Sequence, residues 1–148
     1  MTRHEFKGII ESIVDETHAA ILSTVDSQGA PHTRWMTPGC IEDRPEALFM
    51  ITTSRMSKID HINSNSQAEL MFQTRSLDKI VNISGTATVL DNPSLRSEVL
   101  ECIGKHLHSF WKINTSESEL VIIEFLFNSA TLYTPNNGTK ITISFAGE

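Results

Sequence analysis

The stretch MITTSRMSKIDHI, residues 50–62, gathers Thr52, Thr53, Ser54, Arg55, Ser57 and Lys58 where an apolar run hands over to a helical pattern. Helix starts favour acids, because their unpaired N–H groups carry partial positive charge. Here the first turn is basic. N–H donors, hydroxyls and a cation converging on one helix start are what a bound anion such as a phosphate requires. The chain has seven glycines, none spaced as GxGxxG or a Walker loop, so a phosphate would have to be gripped by side chains. The alternative is that Ser54 caps the helix and the bases are solvated.

A second candidate is HTRWMT, residues 32–37. On a strand, His32, Arg34 and Met36 share one face and Thr33, Trp35 and Thr37 the other. An arginine in an otherwise buried strand needs a carboxylate of the protein or the polar edge of a ligand. Cys102 and His106, four apart on a helical pattern with His108 nearby, could hold a metal, but both fall on the apolar side, where a packed Cys and a satisfied His are the ordinary outcome. Trp111, in HSFWKIN, is either core or an aromatic lid over a flat ligand, with core the default. No GxSxG elbow or paired-acid motif supports hydrolysis.

The elements that must position these residues follow from periodicity. Phe6, Ile9, Ile10, Ile13 and Val14 make residues 3–17 an amphipathic helix ending near His18. AAILSTV, the turn residues DSQG and APHTRWMTPG read as a hairpin. ALFMIT at 47–52 is a buried strand; Met56, Ile59 and Ile62 share one face of the following helix. AELMFQT, the alternating KIVNISGTATVLD, ELVIIEFLFNSATLY and TKITISF are strands. Pro93 opens a helix carrying Leu95, Val99, Cys102, Ile103, His106 and Phe110 on one side. Six or seven short strands joined mostly by tight turns imply one antiparallel domain over 1–148, a closed or nearly closed barrel decorated by three helices.

Composition narrows the function. The 148 residues carry a net charge of −6, which argues against nucleic acid and anionic membranes as partners. The start MTRHEFKGII is not patterned as a signal peptide, and no apolar run approaches a membrane span. Two cysteines without a CxxC pair suggest neither a zinc ribbon nor a disulfide scaffold, and a cytoplasmic location is expected.

The order of the pieces AAILSTVDSQGAPHTRWMT, ALFMITT, SRMSKIDHI and AELMFQT, from about residue 19 to 90, resembles the pyridoxamine 5′-phosphate oxidase-like family of FMN-binding split β-barrels. The likeness is nearest to its short bacterial general stress protein members, which also share the FW pair at 110–111 followed by a late strand. The resemblance implies a mainly β, six- to seven-stranded antiparallel split barrel with peripheral helices, and FMN at a homodimer interface. Carried across position by position, it implies cofactor contacts from Arg34, Trp35, Met36 and Thr37, from Ile51, Thr52 and Thr53 at the end of the next strand, and from Trp111. The family's basic pair at the helix start falls on Ser57 and Lys58, with Arg55 placed to compensate for the lost base. The partner subunit's contribution falls near Lys79 and Ile80, where longer members place a glutamine.

The C-terminal LYTPNNGTKITISFAGE contains no arginine, so it lacks the segment that holds the pyridoxal substrate in true oxidases. The resemblance therefore implies an FMN-dependent oxidoreductase of unassigned substrate and redox partner. The alternatives are a flavin carrier or sensor without turnover, and a split barrel binding deazaflavin or haem.

Overall fold

The computed structural model describes residues 1–53, 56–103 and 120–145. Helix α1 (Arg3–Thr17) forms where the spacing predicts it. Its start is a complete capping box: Glu5 N–H donates to Thr2 Oγ1 (3.0 Å), and Thr2 N–H donates to Glu5 Oε2 (3.2 Å). Such reciprocal caps satisfy two N–H groups that the helix leaves without partners. His18 ends the helix in the left-handed region at φ 55°, its N–H closing on Val14 O. The face bearing Phe6, Ile10, Ile13 and Val14 is buried in the main core.

Seven strands follow: β1 (Ala20–Val25), β2 (Pro31–Met36), β3 (Ala47–Thr53), β4 (Gln67–Gln73), β5 (Ile80–Leu90), β6 (Leu120–Thr134) and β7 (Thr139–Ser144). Helix α2 (Ser57–Ser64) lies between β3 and β4, and helix α3 (Pro93–Ile103) follows β5. The strands form one antiparallel sheet in the order β2-β1-β4-β5-β6-β3, with β7 also paired to β6. This is the expected split barrel, and it stays open. Among the described residues, the two edges are linked through one isolated bridge beyond β2, in which Gly39 and Phe49 of β3 exchange N–H···O bonds of 2.7 and 2.9 Å.

Strand β6 is the spine. Residues 120–126 pair with β3 and residues 129–134 with β7, while the opposite edge pairs with β5 from Ile122 to Tyr133. The partner changes at a bulge: Ser84 faces Ser129 but Gly85 faces Phe127, so Asn128 is the extra residue. Its carbonyl accepts from Phe145 N–H, and Phe127 N–H donates to Glu46 O. A bulge bends the strand that carries it, which lets one strand serve both parts of the sheet.

Strand β3 is buried at every position. Leu48 and Met50 face the main core, while Ala47, Phe49 and Ile51 face a second cluster with Leu95, Val99 and Ile103 of α3 and Leu120 and Ile122 of β6. Burial on both faces explains why ALFMI is a continuous apolar run, whereas the half-exposed β5 alternates. Two expectations are corrected here. Strand β2 is mostly exposed rather than buried, because it is a sheet edge. The N-cap of α2 is Met56, with no side-chain cap bond, rather than Ser54. Ser54, Arg55 and the stretch expected to continue α3 to Trp111 fall outside the described residues.

A methyl group on Gly85 would lie 2.2 Å from Leu126 O and 2.7 Å from Phe125 Cζ. Backbone cannot move aside as a flexible side chain can, so Gly85→Ala should cost about 1–3 kcal/mol or more, the usual range for overpacking. Denaturant unfolding of the variant checks this; an unchanged midpoint would mean that the bulge relaxes freely.

Candidate anion and cofactor site

The β1–β2 hairpin builds one wall of the site. Its turn is closed by Asp26, whose Oδ1 accepts from the N–H groups of Gln28 and Ala30 (both 2.9 Å), with Gly29 at φ 87° supplying the conformation that favours glycine. Asp26 Oδ2 pairs with His32 Nε2 at 2.8 Å. The register sets Ala20 opposite Met36, Leu22 opposite Arg34 and Thr24 opposite His32. Directly paired residues share a face. That inner face is apolar at Ala20, Leu22 and Met36, which belong to the core, and becomes polar at Thr24, Arg34 and His32. Helix α2 packs against β1 beside this polar end.

Arg34 Nη1 donates to Thr24 Oγ1 (2.8 Å) and to Leu22 O (3.2 Å). Thr24 is wholly buried, and its Oγ1 also lies 3.1 Å from His61 Nδ1 of α2. The His61 and His32 rings stand 4.6 Å apart with their planes tilted by 34°. The second wall is the end of β3. There Thr52, 2% exposed, accepts from Lys58 Nζ at 3.1 Å, which ties the first turn of α2 to the strand.

The electrostatics of this corner are one-sided. Burial pulls Lys58 below the usual lysine range, and the nearby positive charge of Arg34 pulls it further. Burial also lowers Arg34. Elsewhere arginines meet acids, as Arg44 does with Glu124 at 2.8 Å and Arg96 with Asp91 at 3.4 Å. Among the described residues, neither Arg34 nor Lys58 forms an ion pair. The partner expected for Arg34 is thus a hydroxyl and a carbonyl, not a carboxylate. Two desolvated cations that repel one another, beside a helix start without a side-chain cap, form a donor set that fits a phosphate dianion. No cluster of His, Cys, Asp or Glu among the described residues suits a metal.

The structure brings together Arg34, Thr52 and Lys58 out of the sequence-derived set. Thr53 is buried beside Thr52, and Ser57 is exposed at the first position of α2. Met36 and Ile51 belong to the two cores, and Thr37 is buried just beyond β2. Trp35 lies on the opposite face from Arg34, 67% exposed, over an apolar cleft of about 220 Å³ lined also by Ile21, Met71 and Phe72. Trp111 lies outside the described residues.

Thr24 and His61 join the site without having been selected from the sequence. Two signals were available: Thr24 occupies the inward phase of β1 with Ala20 and Leu22, and His61 stands one turn after Lys58.

The family model described as pyridoxamine 5′-phosphate oxidase matches residues 6–132. The chain belongs to that family. A search of curated proteins finds no match. Among solved structures, the fold is similar to a Clostridium acetobutylicum protein related to general stress protein 26 of Bacillus subtilis, with a TM-score of 0.77 and 12% identity over 98% of this chain and 97% of that one. It is also similar to a pyridoxamine 5′-phosphate oxidase-related, FMN-binding protein of Nostoc punctiforme, with a TM-score of 0.68 and 12% identity over 99% and 100% of the two chains. A haem-binding protein of Mycobacterium smegmatis shares the fold at a TM-score of 0.72 and 14% identity, covering 97% of this chain and 58% of that one. The family's fold is therefore common to proteins described by different ligands.

The hairpin wall carries its own pH dependence. The hydrogen bond from His32, together with the turn N–H groups, holds the Asp26 carboxyl down at about 2 against an ordinary 3.8. A depressed folded-state value contributes stability above the unfolded value, lost as pH falls through the folded one. Asp26→Asn should therefore flatten the fall in stability between 3.8 and about 2. Urea unfolding at stepped pH reads this out; identical acid limbs for the two proteins would refute it.

Proposed function

We propose that this protein binds FMN and acts as a flavin-dependent oxidoreductase of unassigned substrate, with the cofactor held at a homodimer interface. The observation that carries the reading is the Arg34–Lys58 pair, two partly buried cations without a carboxylate among the described residues. Lys58, the Thr52 hydroxyl and the first N–H groups of α2 would hold the phosphate. Arg34 adds its charge to the same field, which also favours negative charge on a reduced ring. The flavin itself supplies hydride and electron transfer, and the protein fixes its position and surroundings. Family membership and the fold shared with an FMN-binding protein support this reading.

The outer face of β1, β2 and β4, on the side of the sheet away from Arg34, carries a second, apolar surface. Ile21 pairs with both Trp35 and Met71 across the sheet, leaving the Trp35 indole in the open. An exposed tryptophan over an apolar cleft marks a surface suited to a partner or a flat ring.

The spectrum of the protein as isolated, with mass spectrometry of the released ligand, tests the cofactor. A Soret band in place of flavin absorbance would overturn the FMN reading. Rapid reduction by a nicotinamide donor separates an enzyme from a carrier, which would be reduced sluggishly by every donor. Lys58→Ala should weaken FMN binding by about 1.5–3 kcal/mol, the range for hydrogen bonds to charged groups, and leave folding little changed. The loss of the Thr52 bond is offset by relief of burial and of repulsion from Arg34. Unchanged affinity would falsify the phosphate anchor.

A further inference from the structure

Counting protons around Thr24 assigns a state to His61. The Thr24 hydroxyl is wholly buried, with one hydrogen to donate and lone pairs to accept. Two side-chain groups lie within its reach: Arg34 Nη1 at 2.8 Å and His61 Nδ1 at 3.1 Å. A guanidinium only donates, so the hydroxyl accepts from Arg34. Its own hydrogen then goes to His61 Nδ1, which must be unprotonated, leaving the ring neutral with its proton on Nε2. Leaving a buried donor without an acceptor is costly, so the arrangement is directional.

The surroundings agree with a neutral ring. Helix α2 packs on β1 and β5, and neither strand carries an ionisable side chain. From β2 come Arg34 and His32, and from α2 itself Lys58, one turn earlier, and Asp60, which is exposed. Among the described residues, the acid bonded to this group is Asp26, and it serves His32 rather than His61.

We propose that neutral His61 is a positioning residue of the anion site: its Nδ1 accepts the hydrogen bond of the Thr24 hydroxyl, which turns the hydroxyl's lone pairs toward Arg34 and holds the guanidinium in place. The inference rests on the phosphate reading for its effect on affinity, but the proton assignment stands on the geometry alone.

Four variants and two spectroscopic measurements test it. Nitrogen-15 NMR of the imidazoles in ligand-free protein should show His61 protonated at Nε2 and not at Nδ1. His61→Leu and Thr24→Val should each lower FMN affinity about 5- to 10-fold at pH 8, as expected for one indirect hydrogen bond. The double variant should be no worse than either single one, because both break the same link. In His61→Asn the amide oxygen stands in for Nδ1, so affinity should stay within about 2-fold of wild type at pH 8.

An Nδ1-protonated ring, additive losses, or a loss of affinity in His61→Asn as large as that in His61→Leu would overturn the proposal. A protein that binds no FMN overturns the phosphate reading instead. In that case the tautomer, and the Arg34 side-chain signals of wild type against His61→Leu, still decide the role of His61. Arg34 signals unmoved by the substitution would refute it.

Discussion

The fold depends on the bulge where Asn128 stands unpaired opposite the Ser84–Gly85 step. Below that step β6 belongs with β3, and above it with β7. Without the extra residue, a strand of fifteen residues would have to run straight past both partners. Gly85 is the other half of the constraint, because the space a side chain would need is filled by Leu126 O and the Phe125 ring. Everything on the β3 side follows: the second core under α3, the burial of β3 on both faces, and the delivery of Thr52 to the mouth of the sheet.

The site sits where two independently built walls approach each other. One is local in sequence, a hairpin closed by Asp26. The other depends on β3, held through β6 and α3. Helix α2 bridges them, with Lys58 bonded to the β3 wall and His61 to the hairpin wall. Positive charge is concentrated there at a cost, since both cations are drawn out of water and repel one another. A corner of this kind is uphill for folding and favourable for an anion, a trade typical of functional sites.

Much of this was legible in the residues. The helix of 3–17, the hairpin around DSQG, the doubly buried ALFMI and the alternation of 80–90 each follow from a period that the structure reproduces. The unusual charge at the start of α2 pointed to Lys58, and the strand phase of HTRWMT put Arg34 and His32 on one face. The alternative reading of Ser54 as a cap rests on residue type, whereas the cap of α2 is Met56 and the helix begins after it. That β2 is an exposed edge could not be read, because edge position is a property of strand order. Thr24 and His61 escaped for a similar reason. A threonine in a strand and a histidine in a helix are ordinary alone, and only strand register and helix placement bring them together.

The shared use of β6 also bears on how the molecule is assembled. Strands β1, β2, β4 and β5 pair within residues 20–90, so the hairpin wall can form from contacts close in sequence. Strand β3, by contrast, waits for residues 120–126, some seventy positions downstream of its own 47–53. Long-range pairings of this kind close late. The Arg34 wall can therefore exist before the Thr52 wall has a partner, and for that interval the apolar ALFMI segment is an uncovered strand. Chain growth on the ribosome lengthens the interval, because β6 must first be synthesised.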